Sequence, residues 1–131
     1  MGTVYMEPLD NPFTVMENLL DSLKTPNIFV DFHAEATAEK KAMGHFLAGR
    51  VTAVLGTHTH VQTADEIILK NHTGYITDAG MTGPELSVLG VSIEAAVDKQ
   101  RFKYPVRFTE AQTVCFINGV VISFDENNNI Q

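Results

Sequence analysis

Gly56-Thr57-His58-Thr59-His60 is the segment of this sequence best suited to chemistry. It follows Val51-Thr52-Ala53-Val54-Leu55, which reads as a buried strand, and ligand sites of α/β sheets gather at the carboxyl ends of strands. In extended backbone, residues two apart point the same way, so His58 and His60 can address one place. Neutral imidazole binds first-row metals, and Gly56 lets the backbone turn sharply into such a site. Two histidines in a short polar loop can also be merely solvated. His33 shifts the balance, because it ends a second apolar run, residues 27–32, that a βαβ link would place beside the first. Three histidines from two adjacent strand ends point to metal rather than to packing.

Other residues could support that group. Asp31, two before His33, shares its side of a strand and could accept an imidazole N–H or bond a loop amide. Thr57 and Thr59 could orient the histidines or only satisfy loop backbone. Glu35 and Asp78 are weaker acidic candidates near the same edge, and His45 and His72 read as solvated. Two divalent cations would bring four positive charges, of which three neutral imidazoles cancel none. Carboxylates are needed to hold such a pair, and no acidic cluster of matching spacing is found here. No side chain is assigned a catalytic role, and the substrate-binding residues stay unknown.

The elements that must position these groups are legible in outline. Asn11-Pro12 starts a helix with Phe13, Met16, Leu19, Leu20 and Leu23 at helical spacing. Thr37 can cap a second helix, with Ala42, Met43, Phe46 and Leu47 inward and Gly49 closing it. Strand, helix and strand with short links predict a parallel βαβ unit. Residues 66–70 and 75–77 read as a hairpin, followed by a glycine-rich loop and a helix over 92–101. The remainder reads as strands over 105–109, 113–117 and 120–124, the last two joined at Asn118-Gly119, a strong hairpin signal. The fold class is therefore α/β, a βαβ unit followed by antiparallel hairpins.

Composition narrows the function classes. The 131 residues are 44% hydrophobic and 19% charged, as expected of a globular chain with a core. A formal charge of −7 argues against polymeric nucleic acid as a partner. No apolar run is long enough to span a bilayer and no secretory leader pattern opens the sequence, so a cytoplasmic location without membrane partners is expected. Cys115, among apolar neighbours, reads as a small core residue.

Three ordered motifs carry a resemblance across nearly the whole chain. They are residues 29–37 (Phe-Val-Asp-Phe-His-Ala-Glu-Ala-Thr), 56–65 (Gly-Thr-His-Thr-His-Val-Gln-Thr-Ala-Asp) and 75–84 (Tyr-Ile-Thr-Asp-Ala-Gly-Met-Thr-Gly-Pro), with residues 8–13 and Leu89-Gly90 fitting the same pattern. The sequence resembles the YmdB-type metallophosphoesterases of the calcineurin-like superfamily. The resemblance implies a four-layer α/β/β/α sandwich and hydrolysis of phosphodiesters of the cyclic-nucleotide kind. It implies two divalent metal ions, iron or manganese, with His33 and His58 on one and His60 helping to hold the other. The family's first half carries Gly-Asp, Glu-Asn and Gly-Asn-His motifs in order, which supply the remaining ligands and the histidine that protonates the leaving group, and that ordered set is not found in this sequence. Residues 1–131 are then expected to be a single partial domain, the C-terminal half, inactive alone. Its expected partner is the N-terminal half of the same domain or further copies of itself. A non-catalytic binding or oligomerising fragment is the alternative. An amidohydrolase barrel is disfavoured by length, since that fold takes roughly 250 residues.

Overall fold

Helix α1, Pro12–Ser22, begins where the sequence puts its cap: the Asn11 side chain accepts from the Phe13 amide at 2.9 Å, and Pro12 needs no partner for its nitrogen. A computed structural model describes residues 1–7, 9–70 and 72–125 of the chain. The described residues form two compact units, one of Met1–Gly80 with the segment from Val120 onward, the other of Met81–Gly119.

In the first unit, strands β1 (Phe29–His33), β2 (Ala53–Thr57), β3 (Ile67–Leu69) and β4 (Thr73–Ile76) form one sheet in the order β1-β2-β4-β3. Strands β1, β2 and β4 are parallel, and β3 returns antiparallel to β4. Helix α2, Thr37–Leu47, crosses between β1 and β2, so the βαβ unit and the hairpin form as the hydrophobic pattern predicts. Strand β2 runs two residues beyond its expected end, which sets Thr57 opposite His33. Along β1, Val30 and Phe32 face the core while Phe29, Asp31 and His33 are exposed, the two-residue alternation of a strand. Val30, Phe32, Met43, Leu47, Val54 and Tyr75 build the core, with Phe13 and Phe46 joining the helices edge to face at 5.3 Å.

The inward face of α2 is rotated from the expected one. Ala42 is exposed, and the buried set is Glu39, Lys40, Met43, Gly44 and Leu47. Gly44 explains the phase: a Cβ there would lie 2.5 Å from the Tyr75 ring, so the helix rests its glycine on that ring. Thr37 is the first helical residue rather than a cap, and Ala36 takes the cap position without a side-chain bond.

In the second unit, β5 (Thr82–Pro84) pairs antiparallel with β6 (Cys115–Ile117), and α3 spans Ile93–Phe102. The expected hairpin at Asn118-Gly119 does not form, because neither residue adopts the positive φ that such a two-residue turn requires. Strand β6 pairs with β5 instead, and residues 120–124 are not a strand. Residues 105–109 form no strand either; only Glu110 bridges, to Val91. Cys115 is exposed rather than a core residue, since it lies on a two-stranded ribbon. Among the described residues no helix is long and apolar enough to cross a membrane.

Gly56 is where the sheet tolerates no side chain, because a Cβ there would overlap the Thr77 carbonyl oxygen. Gly56→Ala is expected to destabilise the chain by about 2 kcal/mol or more, since backbone must move to relieve the overlap. Urea unfolding followed by circular dichroism checks this through a lower midpoint at unchanged slope.

Candidate functional site

The parallel register between β1 and β2 does the first positioning. With His33 level with Thr57, the residue after β2 arrives beside the His33 ring. The two rings meet edge to face with centroids 4.8 Å apart, and His33 Nε2 lies 3.0 Å from His58 Nδ1. On the far side of His33, Nδ1 is 3.1 Å from Thr57 Oγ1, whose hydroxyl donates to Asp31 Oδ1 at 2.8 Å. That hydroxyl proton is committed to the carboxylate, so the Thr57 oxygen is left to accept from His33 Nδ1–H. His33 is thereby held with its Nε2 lone pair toward His58. Asp31 acts on the histidine through Thr57, one atom further removed than a direct partner. Glu35 reaches the other ring, its Oε2 2.7 Å from His58 Nε2.

The second positioning device lies beneath the loop. Lys40 and Asp78 form an ion pair at 3.0 Å, both side chains 1% exposed. Lys40 Nζ also donates to the Thr57 carbonyl at 3.0 Å, and Asp78 Oδ2 accepts from the Thr59 amide at 2.9 Å. Both neighbours of His58 are thus tied to one buried pair. Between them His58 has a φ of 120° and His60 follows at 66°, conformations that cost a non-glycine residue on the order of 1–3 kcal/mol. Burial pushes the Asp78 carboxyl up, but hydrogen bonds from the Gly80 amide, Lys40 and Thr59 outweigh it and hold its pKa below the usual value. Asp65 behaves alike: desolvation opposes the charge, and bonds from Thr77, Thr63 and Lys41 together place it well below the carboxylate range.

These turns change the expected relation of the histidines. Extended backbone would have aimed His58 and His60 one way, but β2 stops at Thr57 and both histidines have a positive φ, so the two-residue alternation of a strand does not apply to them. The structure brings His33 and His58 together and leaves His60 exposed outside that pair. Among the described residues no three His, Cys, Asp or Glu side chains converge as a metal site. His33 and His58 do fit one edge of a coordination shell, since two nitrogens each about 2.1 Å from one ion at a right angle stand about 3.0 Å apart. Thr59 contributes through its amide, with its hydroxyl 3.4 Å from the Val61 carbonyl. His45 and His72 are exposed, as expected.

Lys40 is the residue that sequence reasoning missed. Its signal was available, because 40, 43, 44 and 47 form one helical stripe. Lys40→Met is expected to destabilise the chain by about 3 kcal/mol or more, leaving the Asp78 charge buried without its partner. Adding Asp78→Asn is expected to recover part of that loss, and chemical unfolding of the two variants measures both.

The comparisons with known proteins bear on the family and the fold. A 2',3'-cyclic-nucleotide 2'-phosphodiesterase of Bacillus subtilis (strain 168) is 49% identical over 127 residues, covering 95% of this chain and 48% of that protein. A putative phosphatase/phosphodiesterase of Mycoplasma pneumoniae is 38% identical over 118 residues, covering 89% of this chain and 42% of its own length. The chain thus spans about half the length of these curated relatives. Among solved structures, a hypothetical protein from Thermus thermophilus superposes with a TM-score of 0.93 at 40% identity, over 99% of this chain and 51% of that one. A phosphatase from Mycoplasma pneumoniae superposes with a TM-score of 0.74 at 38% identity, over 81% of this chain and 40% of its own. The family described as YmdB-like protein matches residues 1–131 throughout, and the chain belongs to that family.

Proposed function

We propose that this chain is the metal-binding C-terminal half of a phosphodiesterase acting on cyclic-nucleotide-type phosphodiesters, and that its site is completed by the N-terminal half of the same domain. The observation that carries this reading is the 3.0 Å approach of His33 Nε2 to His58 Nδ1 at the end of two parallel strands. The relative from Bacillus subtilis supplies the substrate class. The metals, iron or manganese by family resemblance, would polarise the phosphoryl oxygens and neutralise charge developing there. His33 and His58 hold one ion, and His60, exposed nearby in sequence, takes its place on the second. None of the three moves a proton.

The need for a partner follows from charge. Neutral imidazoles offset none of the charge of two divalent cations, and among the described residues no third His, Cys, Asp or Glu converges with the pair to form a metal site. Among the described residues β1 is an edge strand, and its Phe29 is 49% exposed although its ring meets that of Phe124 at 6.2 Å. The half-length match to the relatives fits an N-terminal half as the occupant.

The test mixes this chain with the separately produced first half of the Bacillus subtilis relative, adds Mn2+, and follows bis-p-nitrophenyl phosphate hydrolysis. Activity is expected only with both halves present, and His58→Ala is expected to lower it at least a hundredfold, roughly the upper range for disturbing a metal's ligand surroundings. Turnover by the 131-residue chain alone would contradict the reading. A stable complex of the two halves with no turnover would favour a non-catalytic binding fragment.

A further inference from the structure

We infer that Glu35 is a positioning residue that commits His58 to bind metal through Nδ1, an inference that rests on the metal-binding reading above. Glu35 Oε2 lies 2.7 Å from His58 Nε2 although its side chain is 48% exposed and has water as an alternative partner. A carboxylate oxygen only accepts, so this contact places the one N–H of a neutral His58 ring on Nε2 and leaves the lone pair on Nδ1. His33 is fixed in the complementary sense, its Nδ1–H given to Thr57 and its lone pair on Nε2. In that pair of tautomers the two nitrogens facing each other across 3.0 Å both present lone pairs. Such a pair is repulsive when empty and is relieved by a cation that both can bind.

The competing arrangement is close at hand. If His58 carried its proton on Nδ1, it would donate to His33 Nε2, and the hydrogen bond would occupy both metal-facing nitrogens. Glu35 decides between the two states. Its own placement is firm: Ala34 beside it is fully buried, the Ala34 amide donates to the Thr57 carbonyl at 3.3 Å, and the Gly2 amide donates to the His33 carbonyl at 2.9 Å. The segment that carries Glu35 is therefore tied to the end of β2, from which His58 departs.

Two-dimensional long-range 1H–15N spectra of the metal-free full chain, recorded over a pH series, read the protonation and the tautomer of each ring directly. Mn2+ titration by calorimetry reads the consequence. Wild type is expected to show His58 as the Nε2–H form. Glu35→Ala is expected to switch it to Nδ1–H and weaken Mn2+ binding about tenfold or more. Glu35→Gln keeps an accepting oxygen and is expected to restore the tautomer and most of the affinity. An Nε2–H ring in Glu35→Ala, or unchanged affinity despite a switch, would overturn the inference. Absence of Mn2+ binding by wild type would instead count against the metal reading, while the tautomer still decides the role of Glu35.

Discussion

The buried ion pair of Lys40 and Asp78 is the interaction on which the site depends. It joins the first turn of α2 to the residue two beyond β4, and each partner makes a further bond to the loop between. Burying two charges is costly unless they are paired and their remaining hydrogen-bonding capacity is used. Here that capacity is spent on the Thr57 carbonyl, the Thr59 amide and the Gly80 amide. The backbone on both sides of His58 is therefore fixed by groups that have no cheaper arrangement. This allows His58 to hold a φ that a free loop would abandon. Strain at a ligand and a rigid anchor beneath it belong together, because only an over-determined surrounding keeps such a conformation populated.

Above the anchor, the histidine pair depends on sheet register. A one-residue slip between β1 and β2 would turn Asp31 and His33 into the core and bring Val30 and Phe32 to the surface. Gly56 enforces the fit from the other direction, since it lets β2 pass the Thr77 carbonyl without a side chain. The core that packs α1 and α2 on this sheet thus fixes the distance between two imidazole nitrogens. Family membership and the close superposition on longer relatives extend the same frame to proteins about twice as long.

Much of this was legible in the sequence, for reasons that differ by element. The βαβ unit, the Asn11 cap and the hairpin over β3 and β4 follow from local periodicity and turn chemistry, which act within a few residues. His33 and His58 were found because strand ends and parallel pairing bring them together. The positive φ of His58 was not legible, since the backbone on either side of it is held by Lys40 and Asp78, far away in sequence. The stripe of α2 was misplaced because a buried lysine reads as solvent-facing until its partner is known. The Asn118-Gly119 signal failed for a similar reason: β6 found a better partner in β5, and a turn propensity cannot compete with a paired strand.

The most direct measurement is an anomalous difference map from crystals of this chain soaked in Mn2+. A peak is expected about 2.0–2.2 Å from both His33 Nε2 and His58 Nδ1, a normal metal–imidazole distance, and it should vanish in His58→Ala. A map with those two nitrogens free while Mn2+ sits elsewhere, or nowhere, would contradict a metal role for the pair.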